Sequence, residues 1–450
     1  MQEKPSFFER LNQKLKESLT VKLITIGILL LLLLIPLEMV QNLIRERNYR
    51  SQNTVSEVSN EWSASQVISG PIVTIPYNSY EKTVVNNVEK VVLVTRHLQM
   101  MPDAADYSGT ILPKTLHRGI YDVVVYEGAL KVKGNFSFKE INEQHILPEN
   151  ILWDEAVINM GVSDLRGITK QVTLSTNMGD FTFLPGLKNV SMSTTGVHAS
   201  FPMTGEESKL DFSFDLNMKG SSRIEFVPLA KTTSVFLKSE WKSPSFIGSF
   251  LPNKRNIENG FDASWEVLNL NRPIPSLVRS DNVNFREHSF GVELFMPTTQ
   301  YLKSERTAKY GALVIALVFL IIFFVQIMRK ISIHPFQYIL IGLALVIFYT
   351  LLVSISEFTS FNTAYLIAGG AVIVLVSVYL HGVIKNFTST AIIFGLQTFI
   401  YGFIFVIIQL EDKALLIGSI GLFLTLAIIM LASRKIDWYH LNAGSSKEIE

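Results

Sequence analysis

The sequence predicts an α+β membrane protein, with a large antiparallel, sandwich-like β domain outside the cytoplasm between one N-terminal and five C-terminal transmembrane helices. Three observations predict it. A single apolar run lies near the start, the middle of the chain alternates apolar and polar residues, and the last third holds five apolar stretches. The formal net charge is +1, which argues against a broad electrostatic role such as wrapping nucleic acid. With no cysteine, the chain cannot hold a disulfide framework, a thiolate zinc site, an iron–sulfur cluster or a cysteine nucleophile.

Residues 1–21 read as an amphipathic segment, with Phe7, Phe8, Leu11, Leu15 and Leu19 on one face and Arg10, Lys14 and Lys16 elsewhere. Leu23 to Leu37 is apolar except for Thr25. With its edges, residues 22–40, it reaches the roughly 17–25 residues that cross hydrocarbon. No small-x-small cleavage site follows Pro36, so this is read as an anchor rather than a signal peptide. Arg45–Glu61 reads as a stalk continuing that helix.

Residues 41–308 form the β-rich domain. Leu130, Val132, Phe136 and Phe138 alternate with Lys131, Lys133, Asn135 and Ser137. Phe212, Phe214, Leu216 and Met218 alternate with Asp211, Ser213, Asp215 and Asn217. Period two places one face in a core and the other in water. Val91–Val94, Tyr121–Tyr126, Val172–Leu174, Phe181–Leu184, Ile224–Val227 and Val235–Leu237 read as further strands. Gly70-Pro71, Gly109, Gly128, Gly134, Pro185-Gly186, Gly220 and Pro252-Asn253 read as the turns between them.

Residues 309–433 form a five-helix bundle, with spans near Gly311–Val325, Phe336–Ile355, Thr363–Leu380, Ala391–Ile408 and Ala414–Ala432. Residues 434–450 are the tail. Lysine and arginine before the first span, at Arg329-Lys330, at Lys385 and in the tail fall on one side of a six-span topology. That predicts both termini in the cytoplasm. Arg45, Arg47 and Arg50 run against the rule.

The motif search excludes much. Gly-x-Ser-x-Gly, His-Glu-x-x-His, a Walker loop and Gly-x-Gly-x-x-Gly are absent. The eight histidines lack metal-ligand spacing, so no catalytic, cofactor-binding or metal residue is assigned and no cofactor is expected. Trp241, Phe246, Phe261 and Trp265 read first as core packing and second as a binding ridge. Arg118 and Arg166, each before Gly-Ile, read as arginines closing a turn or pairing with a carboxylate. His334, Gln337 and Glu357 flank the third span, where ionisable groups are cheap to place, and His334-Pro335 reads as a helix start. Gln326, Gln397 and Gln409 are expected to bridge helices, and Gly369-Gly370-Ala371 to admit a neighbouring helix closely.

One resemblance joins these parts. Lys303-Ser-Glu-Arg306-Thr-Ala-Lys309-Tyr310-Gly enters the second span, and His334-Pro335-Phe-Gln337-Tyr338-Ile-Leu-Ile-Gly342-Leu-Ala344 opens the third. Phe348-Tyr349 and Ser354-Ile-Ser356-Glu357 follow. The β domain adds Gly70-Pro71, Arg118-Gly119-Ile120-Tyr121, Arg166-Gly167-Ile168, Trp241 with Pro244-Ser-Phe246, and Gly260-Phe261-Asp-Ala263-Ser-Trp265. Together these resemble the CreD family of bacterial inner-membrane, or cell envelope integrity, proteins, from about the first span to the last. Phe358 stands where that family often has a histidine, so a Glu–His pair is lacking there. The resemblance implies an inner-membrane location and a role in envelope stress, tied to a two-component system, colicin tolerance and the β-lactam response.

The expected function is a non-enzymatic membrane protein of envelope integrity. Its β domain binds an envelope protein or lipid, and its bundle anchors the domain or relays the event. A transporter or lipid-handling protein, and an enzyme acting on envelope polymers, are the alternatives. Glu357 is expected to pair with a cation or hydroxyl, with Arg306 and Lys309 as the cations at hand.

Overall fold

A computed structural model describes residues 19–85, 88–190, 195–279, 286–296, 300–329, 331–410 and 414–434. The expected amphipathic segment before residue 19, Lys330, the Glu411-Asp412 turn and the tail beyond residue 434 lie outside the described residues. The chain divides into two compact units, one of Met1–Ser51 with Thr298–Glu450 and one of Gln52–Pro297.

Helix α1, Leu19–Trp62, contributes to both. Its 44 residues are about 66 Å long, twice the hydrocarbon thickness. The apolar run and the stalk are thus one helix, with Pro36 inside it.

The membrane unit continues with α2 (Gln300–Lys309), α3 (Gly311–Met328), α4 (Pro335–Ser356), α5 (Phe361–Ile384), α6 (Phe387–Gln409) and α7 (Ala414–Ser433). Among the described residues α1, α3, α4, α5 and α6 are long and apolar enough to cross a membrane. Helix α7 is a further apolar helix of 20 residues. Tyr310 breaks the chain between α2 and α3, so the second span is preceded by a separate short helix that buries Tyr301, Ser304, Thr307 and Ala308.

Helix α1 enters the bundle through small residues. Leu33 and Leu37 are buried, and a side chain at Gly342 or Gly311 would occupy their places. The close approach falls there rather than at Gly369-Gly370: a Cβ at Gly369 would meet the Tyr401 ring only at ordinary contact distance, and nothing lies within 4 Å of a Cβ at Gly370. Phe348 is the centre of an aromatic cluster, 5.4 Å from the Tyr365 ring and 4.8 Å from both Tyr349 and Tyr401. Gln326 bridges α3 and α4 by accepting from Tyr338 at 3.0 Å, and Gln409 reaches Asn362. Gln397 makes no such bridge; its buried amide has no partner among the described residues.

The β unit holds two sheets. One runs Pro244–Gly248, Phe290–Leu294, Arg223–Val227, Gln66–Val85, Val157–Val162, Gly196–Ser200 and Leu184–Pro185, with Val88–Met100 folded back on Gln66–Val85. The other runs Lys254–Asn256, Phe261–Leu268, Thr232–Ser239, Ala104–Arg118, Tyr121–Ser137, Lys209–Ser221, Thr173–Thr176 and Gly179–Thr182. The central strands turn their apolar alternates inward, and the two inner faces form one core. Tyr107 meets Phe226 at 5.3 Å and Trp265 meets Phe290 at 5.9 Å between the sheets.

Among the described residues the sandwich is antiparallel except at two pairings. Gln66–Ser69 runs parallel to Ile224–Val227, and Ala104–Ile111 parallel to Thr232–Ser239. Both join strands far apart in sequence, which local patterning cannot reveal.

Several expected turns lie inside strands: Gly70-Pro71, Gly109, Gly128, Gly134 and Gly220. The cause is close approach. The Phe212 ring lies over Gly134, and the Tyr126 ring fills the place of a side chain at Gly220. Pro71 sits where the pairing with Val157–Val162 shifts register, at a bulge that needs no ladder N–H.

Candidate functional site

The polar chemistry of the membrane unit gathers at the end of α4. The Glu357 side chain is 11% exposed, and its Oε1 lies 3.6 Å from Arg47 Nη1 on α1. The Tyr301 hydroxyl on α2 donates to the same oxygen at 3.3 Å. One carboxylate thus ties three helices. Close by, Gln41 Nε2 on α1 donates to the Ala308 carbonyl on α2 at 3.1 Å, and Lys303 Nζ on α2 stands 5.9 Å from the ring centre of Phe361 at the start of α5.

The partners differ from those expected. Lys309 faces Glu305 at 3.7 Å one turn back on α2, and Arg306 is exposed. On a helix, residues three and four apart share a face. Tyr301 and Glu305 are so related, whereas Arg306 is turned away. The cation is Arg47, which the sequence marked only as an exception to the charge rule.

At the far end of α4, His334 and Gln337 form a reciprocal cap. His334 Nδ1 accepts from the Phe336 N–H at 3.2 Å, and Gln337 Oε1 accepts from the His334 N–H at 2.9 Å. Pro335 at the first helical position completes the start. Both residues therefore build the helix terminus.

In the β unit, Arg166 and Arg118 hold the last turns of α1. Asp164 caps the short helix Leu165–Gly167 by accepting from the Arg166 N–H at 3.1 Å. Its carboxylate takes Arg166 Nη2 at 2.7 Å and Nε at 2.9 Å, a two-pronged pair. The other guanidinium nitrogen, Nη1, donates to the Asn60 carbonyl at 2.6 Å, one of the otherwise open carbonyls at the end of α1. The Ala64 N–H adds a bond to Asp164 at 2.9 Å. Arg166 beside it, helped by the Ala64 N–H and opposed by burial, pulls the Asp164 carboxyl down to about 2.

Gln66 extends this network. Its Nε2 reaches Ser63 Oγ at 2.9 Å and the Asp164 and Lys219 carbonyls at 3.0 Å. Arg118 pairs with Glu61 at 2.8 Å and Glu57 at 3.9 Å on α1, and the Glu61 hydrogen bond raises its pKa. Ser63, Gln66 and Asp164 carried no sequence signal, because single polar residues beside strands are common until their partners are known.

Trp265 and Phe261 are core residues, and Phe246 packs edge-on against both at 5.7 and 6.1 Å. Trp241 Nε1 donates to the Phe295 and Ser243 carbonyls at 3.1 and 3.2 Å. The aromatics form packing and not a ridge. Among the described residues no group of three or more His, Cys, Asp or Glu side chains could hold a metal ion.

One exposed feature remains. From Asn78 to Val85 and from Val88 to Thr95, the two strands of a hairpin pair only with each other among the described residues. Tyr80, Val91 and Leu93 share one face of it, because Tyr80 stands opposite Leu93 and Lys82 opposite Val91. They are 66%, 64% and 54% exposed.

Membrane helices, an inserted sandwich and sites made of ion pairs and caps define a multi-pass membrane protein carrying a β domain between its first and second spans. The chain belongs to the CreD family: the profile described as "Inner membrane protein CreD" matches residues 18–439. It is similar to inner membrane protein CreD of Escherichia coli (strain K12), at 31% identity over 440 residues covering 96% of each chain.

Proposed function

We propose that this protein is a non-enzymatic component of envelope integrity, in which the β domain captures an envelope protein or lipid and the helix bundle anchors it. Both termini are cytoplasmic in this reading, so the sandwich faces the periplasm. The observation that carries it is the two-stranded arm Asn78–Thr95 with its apolar face of Tyr80, Val91 and Leu93. An isolated hairpin gains little stability from water-exposed strands, and open edges invite pairing with another chain. An apolar face on such an arm fits a surface that is covered when a partner adds to it. The Arg166 and Arg118 contacts fix the last turns of α1 to the sandwich within the β unit.

The test places a photoreactive amino acid at Tyr80 or Leu93 in cells, with Glu81 on the opposite face as control. A discrete adduct at Tyr80 and Leu93, with weaker sensitivity to envelope stress lost in Tyr80→Asn, is the expected result. Unchanged envelope phenotypes for Tyr80→Asn and Leu93→Asn at normal abundance would overturn the reading.

A further inference from the structure

A second site lies in the membrane unit, at the end of the bundle opposite Glu357. A cavity of about 320 Å³ opens between the start of α1 and the α3–α4 connection. That is at the small end of the range for small-molecule pockets. Its polar lining comes from Lys22, Thr25, Gln326, Ser332, His334 and Tyr338.

The hydrogen-bond roles of these groups are one-sided. The Tyr338 hydroxyl donates to Gln326 Oε1 at 3.0 Å, which uses the amide's acceptor and leaves its Nε2 as a donor. Gln326 is 4% exposed, and its Nε2 has no partner among the described residues. His334 Nδ1 accepts the Phe336 N–H, so in the neutral ring the proton is on Nε2, again a donor. Lys22 Nζ and the Ser332 hydroxyl likewise have no partner among the described residues. Thr25 is spent on its own helix, donating to the Val21 carbonyl at 2.8 Å. The N-terminus of the 22-residue helix α4 opens on the same space through His334 and Pro335, adding a positive dipole end.

The wider charge pattern agrees. The described acidic side chains of this unit are Glu38, Glu46, Glu305 and Glu357, and each belongs to the other end of the bundle. Arg329 and Lys385 share the cavity's end. A buried amide donor, an ammonium, a hydroxyl and an imidazole N–H around one space, with no carboxylate among the described lining residues, make a pocket for an oxyanion.

We propose that this cavity binds a phosphate group, supplied either as the headgroup of an anionic phospholipid or as free phosphate. The site is independent of the hairpin arm, so its failure leaves the envelope reading standing.

The test uses the full chain in detergent and in nanodiscs. One arm titrates inorganic phosphate by calorimetry. The other compares nanodiscs of phosphatidylglycerol with nanodiscs of phosphatidylcholine, reading retained lipid by native mass spectrometry. Lys22→Gln and Ser332→Ala each remove one donor without touching the core, and Lys385→Gln is a control charge at the same end. The expected result is a loss of about tenfold in affinity for Lys22→Gln, with a smaller loss for Ser332→Ala and none for Lys385→Gln. Binding of inorganic phosphate identifies the free ion as sufficient. Binding only in phosphatidylglycerol identifies the headgroup. Equal losses for Lys22→Gln and Lys385→Gln, or no binding in either arm, would overturn the proposal.

Discussion

Reversing the charge at Glu357 should weaken the membrane unit measurably, and reversing Arg47 as well should restore part of the loss. At 3.6 Å and an effective dielectric of about 20, the raw attraction is about 4–5 kcal/mol. Arg47 is 38% exposed, so solvation and side-chain entropy take back most of that, leaving about 1 kcal/mol for the pair. Tyr301 is buried, and its hydroxyl loses an acceptor when the carboxylate goes, for about 1 kcal/mol more. Glu357→Ala should therefore cost about 2 kcal/mol, and Glu357→Arg about 3 kcal/mol, because Arg47 then faces a like charge. The pair Glu357→Arg with Arg47→Glu should recover about 1 kcal/mol, while Glu357→Arg with Arg306→Glu should recover nothing. Denaturant unfolding of the full chain in micelles, read beside protease resistance, measures each variant. If the Glu357 and Arg47 losses simply add, with zero coupling, the ion pair is not what joins α1 to α4 and the reasoning fails.

The Asp164 site gives a pH dependence. Its folded pKa of about 2 lies below the ordinary carboxylate value of 3.8, so the stabilisation is full above pH ~4 and is lost as pH falls towards 2. The shift corresponds to about 2 kcal/mol, reduced to about 1–2 kcal/mol because the Arg166 head is 62% exposed; Asp164→Asn should flatten acid unfolding between pH 4 and 2, and an unchanged acid transition would refute the assignment. The segment Gln52–Pro297 expressed alone should fold, since its core closes within that range, and should give a β-dominated circular dichroism spectrum; a mainly helical or unfolded spectrum would count against the division into units.

Legibility in the sequence followed the range of the interaction. The strands Tyr121–Ser137 and Lys209–Ser221 announced themselves because burial alternates residue by residue, and the structure buries Leu130, Val132, Phe212 and Phe214 accordingly. The His334-Pro335 start was legible for the same reason, since a cap is made within three residues. Glycines misled because a strand glycine and a turn glycine look alike locally; only Phe212 and Tyr126, brought in by strand pairing, separate Gly134 and Gly220 from turns. Glu357 was marked correctly as a polar helix end, but its partner was sought among near neighbours. Arg47 reaches it through tertiary packing of α1, which no spacing rule encodes.

The same contact bears on orientation. The rule that lysine and arginine stay in the cytoplasm counts those residues almost regardless of nearby acids, so Arg45, Arg47 and Arg50 oppose the proposed topology. They precede a long domain, however, and long segments are translocated largely regardless of charge. The folded protein also gives each arginine a carboxylate: Glu38 at 3.2 Å from Arg45, Glu357 at 3.6 Å from Arg47 and Glu46 at 2.6 Å from Arg50. Among the described residues, Lys22, Arg329, Lys385 and Arg434, at the other end, form no ion pair with a carboxylate of this unit. Among the described residues the bundle thus carries charges of both signs at one end and only cations at the other, and the cationic end suits the anionic inner leaflet. Reporter fusions after Ser51, Ser360 and Ser446 should therefore read outside, outside and inside. An outside signal at Ser446 would require an odd number of spans, and an inside signal at Ser51 would place the paired arginines, with the sandwich that follows them, on the cytoplasmic face.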